Sequence, residues 1–362
     1  MKRILLILLL TPAFLCPAYA QEPGVMELFE AEKMESGLSR EEAEIGGELR
    51  YGDYDVGGAM KRLWNAFREK LTAELHTGLG FAARMLTLVF LCALATALCE
   101  QEKTRGMIEI CAVCVSAGML AGDVDSLVSQ TMQSIYRLSD YSRAALPVLY
   151  AAAAASGAVS SSAVRYAAAC LSLEVLMSLA QRAVVPLIYA FLALALTNAV
   201  FTNPILAAME KLAHWAAKTV LTASTLAFTS YLSLSSLLST SIDAAAIKAT
   251  RTVISTGLPV VGGMLADASA AVLSAAGVVR SCTGAFGLVA VCAMCLGPLA
   301  LLSVKSFLFK AVAAAAESVQ SPRLQKLFSA IGGAVGLLLG LLGCCAIMLF
   351  LSFAAGMKAV TG

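Results

Sequence analysis

From Phe81 onward the chain returns repeatedly to apolar runs about as long as a bilayer is thick, with short polar stretches between them. The first two are Phe81 to Cys99 and Met107 to Gly122, and others follow near 144–164, 168–198, 212–240, 253–279, 283–304 and 329–357. A membrane-spanning helix needs about 20 such residues to cross roughly 30 Å of hydrocarbon. Hydrophobic residues make up 59% of the chain and charged ones 14%, with a mean hydropathy of +0.81. A soluble domain does not carry that much apolar surface. The sequence therefore predicts an all-α, polytopic integral membrane helix bundle of about eight spans. The net charge of +2 gives no reason to expect a nucleic-acid partner.

The first 80 residues differ from the rest. Met1 to Ala20 reads as a signal peptide: Lys2 and Arg3 precede the apolar Ile4 to Leu10, and Ala18-Tyr19-Ala20 offers small residues for cleavage. Residues 21–80 hold thirteen acidic and seven basic side chains and form an extracytoplasmic acidic and amphipathic segment. Within it, Met60, Leu63, Trp64, Phe67, Leu71 and Leu75 recur at helical spacing. That face could lie on the membrane or pack on a partner. A transmembrane hairpin plus an amphipathic, surface-lying helix is expected over 81–140, followed by membrane repeats at 141–252 and 253–362.

The repeats rest on a regularity at an offset of 112. Leu146-Pro147-Val148 recurs as Leu258-Pro259-Val260, and Pro186-Leu187 as Pro298-Leu299. Fourteen of 55 aligned positions from 146 to 200 are identical. Three spans per unit, an odd number, would set the two copies in opposite orientations, as in the inverted repeats of many transporters. Loop charges support eight spans with the C-terminus extracytoplasmic. Lys103, Arg105, Arg165, Lys248, Arg251, Lys305, Lys310, Arg323 and Lys326 fall inside, against Arg137, Arg143, Lys211, Arg280 and Lys358 outside.

The most unusual stretch lies inside the sixth run. Gly257-Leu258-Pro259-Val260-Val261-Gly262-Gly263-Met264-Leu265-Ala266-Asp267 combines a proline, a glycine pair and a carboxylate. Pro259 removes a backbone donor, and Gly262 and Gly263 weaken the helix further. Asp267 would lie deep in the membrane, where an ionisable group is costly unless it faces protein or water. Two readings stand: a kinked helix packed on small residues, or a discontinuous helix at a polar site. Pro147, Pro186 and Pro298 mark further candidate breaks. Asp243 and Lys248 form a candidate pair at a membrane boundary. In the fifth run, Ser and Thr residues from Thr222 to Thr240 suggest a face turned to the bundle interior.

No constellation of catalytic residues is present, so no enzyme activity is expected. Only His76 and His214 occur, and there is no phosphate-binding loop, metalloprotease motif or serine-nucleophile elbow. Cys111-x-x-Cys114 and Cys292-x-x-Cys295 have redox or zinc spacing but sit in apolar runs without nearby His, so neither a metal nor another cofactor is expected. Glu174 and Arg182, eight apart in one run, are a conceivable pair through an intervening partner.

The stretch Gly257 to Ala268 resembles the signature of the stage III sporulation protein AE family. So do Asp243-x4-Lys248 before it and Val278-Val279-Arg280 with Gly284 and Gly287 after it. Leu146-Pro147, Ser156-Gly157 and Val185-Pro186-Leu187 fit the family's earlier blocks, while Ala268 to Ala276 is richer in alanine than the family pattern. The resemblance implies a multi-pass protein of the mother-cell membrane around the forespore. It further implies a place in the channel or secretion-like complex bridging the two compartments, needed for forespore development. The implied partners are other stage III sporulation membrane proteins and the lipid bilayer, with a homo-oligomer also conceivable. A stand-alone permease for a small solute and a non-conducting scaffold for partner docking are the alternatives.

Overall fold

A computed structural model describes residues 37–47, 55–155, 159–257 and 262–357; within it, the side chains of 155–162, 164–165 and 232–280 lie outside the description. The described secondary structure is helical. It comprises α1 (Arg40–Gly46), α2 (Val56–Ala97), α3 (Glu102–Ala155), α4 (Val159–Leu179), a π-helical turn (Ala180–Val184), α5 (Val185–Phe201), α6 (Pro204–Gly257), α7 (Gly262–Ser318) and α8 (Pro322–Met357).

Local chemistry sets many of these boundaries. Ser39 caps α1 reciprocally: its hydroxyl accepts from the Glu42 N–H at 3.4 Å, and its own N–H donates to the Glu42 carboxylate at 2.8 Å. Asp55 caps α2 by accepting from the Gly58 N–H at 2.8 Å. At two tight turns a non-glycine residue takes a positive φ, Thr202 at 48° and Gln320 at 58°, and a proline opens the next helix two residues later. Pro204 and Pro322 suit that first helical position because its N–H has no partner inside the helix.

Contacts along α8 give the direction of every other long helix. Near its start, Arg323 meets Glu109 of α3 and the Val200 carbonyl of α5. In the middle, Gly332 accepts from Ser306 of α7 at 3.2 Å, Gly333 faces Phe191 of α5 and His214 of α6, and Cys344 reaches the Leu221 carbonyl of α6. Near its end, Ser352 accepts from Tyr150 of α3 at 3.0 Å, Phe353 lies against Gly287 of α7, and Gly356 faces Leu149. Phe81 of α2 stacks edge-on with Phe309 of α7, and Gly78 sits against Leu308 and Val304. The rods alternate: α2, α4–α5 and α7 run one way, α3, α6 and α8 the other. The turns 98–101, 202–203 and 319–321 therefore share one end, called the turn end below.

The helix α8 fills the centre. It packs on α3, α4, α5, α6 and α7, while α1 and α2 pack on α7. Its buried face runs from Leu324 through Phe328, Ile331, Val335, Leu338, Leu342 and Leu349 to Phe353.

Several expectations change. Among the described residues, five helices are long and apolar enough to span a membrane by length and composition. Some of the expected runs are continuous with one another. The run 107–122, the polar stretch 123–143 and the start of the run 144–164 form one helix, α3, because no helix breaker precedes Pro147. Val124, Leu127, Val128, Ile135 and Leu138 are buried, so this amphipathic face packs on protein and not on the membrane surface. Likewise α7 carries the run 283–304 without interruption from Gly262. Of the paired prolines, Pro186 and Pro298 lie on α5 and α7, which both run toward the turn end, whereas inverted copies would set that pair of helices in opposite directions. Pro147 is in α3, and Pro259 lies outside the described residues. Lys211 moves to the same end as Lys103, Arg323 and Lys326.

Candidate functional site

The described sequence-derived candidates are spread over α3, α5, α6 and α7. Pro147 lies inside α3 on its exposed side and Pro298 inside α7. Pro186 follows the π-helical turn at Ala180–Val184. Proline at 186 has no N–H for the carbonyl of 182 and would clash with it in a regular helix, and the wider turn relieves both problems. The helix α6 ends at Gly257 and α7 begins at Gly262, so Pro259 lies outside the described residues. Gly262, Gly263 and Asp267 belong to the first turns of α7, and Asp243 and Lys248 to α6, but their side chains are likewise outside the description. Glu174 and Arg182 are both exposed. The hydroxyls of Thr222, Ser224, Thr225 and Thr229 donate to carbonyls one turn back in α6 itself, at 2.8–3.0 Å. Thr222 and Thr229 are exposed, so this part of the Ser/Thr face is not turned wholly to the interior.

The polar chemistry that the fold does assemble is at the turn end, on helix segments that are otherwise apolar. Glu109 of α3 and Arg323 of α8 form an ion pair at 3.4 Å, their side chains 16% and 24% exposed. A second guanidinium nitrogen of Arg323 donates to the Val200 carbonyl, the last exposed turn of α5. One cation thus ties α3, α5 and α8 together. Beside it, the Asn198 amide donates to the Glu210 carboxylate at 2.9 Å and clasps α5 to α6 across their turn. Ser321, between α7 and α8, buries a hydroxyl without a hydrogen-bond partner.

Next to this assembly runs a groove of about 550 Å³, floored by α8 and walled by α6 and α7. Glu210, Lys211, His214, Lys310, Lys326 and Ser329 line it. His214 packs against Phe191 with ring centroids 5.2 Å apart and planes tilted by 50°, at the groove wall. Sequence reasoning saw Lys211, Lys310 and Lys326 only as loop charges, because nothing in the sequence says that α6, α7 and α8 meet there. Glu109 and Arg323 were each visible. Their pairing, over 214 positions, was not.

Among the described residues no three His, Cys, Asp or Glu side chains gather as a metal site would require, and the ten described cysteines are free. A packed rod assembly with half-buried ion pairing on apolar helices is a multi-pass membrane protein of the all-α class. The family model of stage III sporulation protein AE matches residues 48–359, and the chain belongs to that family. It is a sporulation membrane protein. No match to this chain is found among curated proteins or solved structures.

Proposed function

We propose that the protein is a membrane component of the channel or secretion-like complex connecting mother cell and forespore, required for forespore development. Within that complex it acts as a wall element. The observation that carries this reading is the filled centre of the protomer. A permease working through its own middle needs polar groups along its axis, and the buried face of α8 there is Leu, Ile, Val, Phe, Ala, Gly, Cys and Met, with Ser352 near its end the one hydroxyl. Any conduit therefore forms between this chain and further copies or other stage III sporulation membrane proteins. The basic turn end is the cytoplasmic one by the excess of Lys and Arg beside its turns. That orientation puts the start of α2 and the end of α8 on the extracytoplasmic face.

The test is purification in mild detergent from sporulating cells carrying a tagged copy. Other stage III sporulation membrane proteins are expected to co-purify, and a deletion strain is expected to lose forespore gene expression. Recovery of the chain alone, with solute uptake in proteoliposomes, would favour the permease instead.

A further inference from the structure

The groove at the turn end has more positive charge than the protein itself neutralises. Lys211, Lys310 and Lys326 converge on it from three different helices. Its one carboxylate, Glu210, is already engaged by the Asn198 amide. Among the described residues none of the three lysines has an acidic partner. Ammonium groups gathered in one concavity repel each other and favour a bound anion. The floor suits a close approach, since Ser329 offers a hydroxyl and Gly333 has no side chain.

The surroundings decide which anion. Leu212 and Trp215, beside Lys211 and His214 on α6, are both 61% exposed, and Phe307, one turn before Lys310 on α7, is 67% exposed. Large apolar side chains around a basic cavity fit hydrocarbon, and tryptophan favours the headgroup boundary. Lys326 lies four residues into α8, roughly 6 Å from the turn end at 1.5 Å per residue, a depth compatible with that boundary.

We propose that this groove binds the phosphate of an anionic phospholipid, with the acyl chains lying along the exposed apolar faces of α6 and α7. The lysines supply charge, and Ser329 and the His214 imidazole supply hydrogen bonds.

The full-length protein in detergent is mixed with phosphatidylglycerol and phosphatidylcholine, and retained lipid is read by native mass spectrometry. Phosphatidylglycerol is expected to be preferred, and Lys326→Gln to reduce the preference about fivefold, as one lysine is lost. The triple variant K211Q/K310Q/K326Q should abolish it, and Lys70→Gln, far from the groove, should leave it unchanged. Equal retention of the two lipids, or an unchanged preference in both Lys326→Gln and the triple variant, overturns the proposal. Displacement of the lipid by millimolar inorganic phosphate also overturns it, making a free phosphate the ligand. Retention of lipid through that challenge supports the membrane source.

Discussion

The two ends of the bundle solve the problem of polar groups in opposite ways. At the turn end, polarity points inward: Glu109 with Arg323, and Asn198, only 4% exposed, with Glu210. Their surroundings include the outward-facing Leu91, Leu94, Leu98, Phe201 and Ile205, more than half exposed. At the opposite end the cations of the ion pairs stay about half exposed, although Glu42 is buried. Lys70 meets Glu41 at 2.6 Å and Arg137 meets Glu42 at 2.8 Å on the outer side of α1, α2 and α3. The interior there is Tyr141, Leu149, Phe286 and Phe353, with glycines allowing close approach. Just inside the turn end the bundle is built as a protein in lipid, and the opposite end in part as a protein in water. The same contrast appears along the helices. The apolar stretches 81–97 and 107–122 of α2 and α3 lie near the first half of α8, whereas its second half lies alongside their charged stretches. Much of the hydrophobicity of α8 is thus covered by protein.

If polarity at the turn end is structural, removing Arg323 should be the most damaging single change. Arg323→Ala leaves Glu109 without a counter-charge and Val200 without a donor, a loss of about 3 kcal/mol for an ion pair shielded to this degree. Glu109→Gln should cost less, because an amide still bonds to the guanidinium. Thermal unfolding in detergent gives the ranking, and an Arg323→Ala variant as stable as wild type would erase the difference between the ends.

At the opposite end the interior should be sensitive to volume instead. A methyl at Gly287 would lie 2.2 Å from the ring of Phe353, which is fully buried and has no room to turn. Gly287→Ala is expected to cost about 2 kcal/mol by overpacking. A methyl at Gly284 meets Met357, whose flexible chain can move aside, so Gly284→Ala should cost clearly less.

The outer pairs should matter least. Glu42→Gln weakens the contact with a half-exposed Arg137 and should cost about 1 kcal/mol. Glu41 is fully exposed, and its hydrogen bond to Lys70, followed by the charge of that lysine, holds its carboxyl below the usual range. A carboxyl lowered on folding adds stability above its unfolded pKa and loses it as pH falls through the folded one. The small advantage of wild type over Lys70→Met should therefore be present at neutral pH and vanish in acid.

The family and the helical membrane class were legible in the sequence, the first from the Gly257 to Ala268 stretch and the second from the apolar runs. The continuity of the helices was not, because a hydropathy window registers an apolar run without registering what covers it. The charged stretch 123–143 looked like an interruption, yet its buried Leu127, Ile135 and Leu138 keep α3 one helix. Pro186 was singled out as a candidate break, and a π-helical turn precedes it. The turn-end assembly was beyond sequence reach, since Arg323 finds Glu109 and Val200 only after three turns have been brought to one end.

That gathering of turns is the claim on which the rest depends, and it can be measured by labelling. Glu100→Cys, Asn203→Cys and Gln320→Cys place single thiols at exposed positions of the three turns, in a chain whose native cysteines are replaced by alanine. A membrane-impermeant maleimide applied to oriented membrane vesicles should reach all three from the same side. Labelling of Asn203→Cys from the side opposite the other two would restore the eight-span arrangement and contradict the bundle described here.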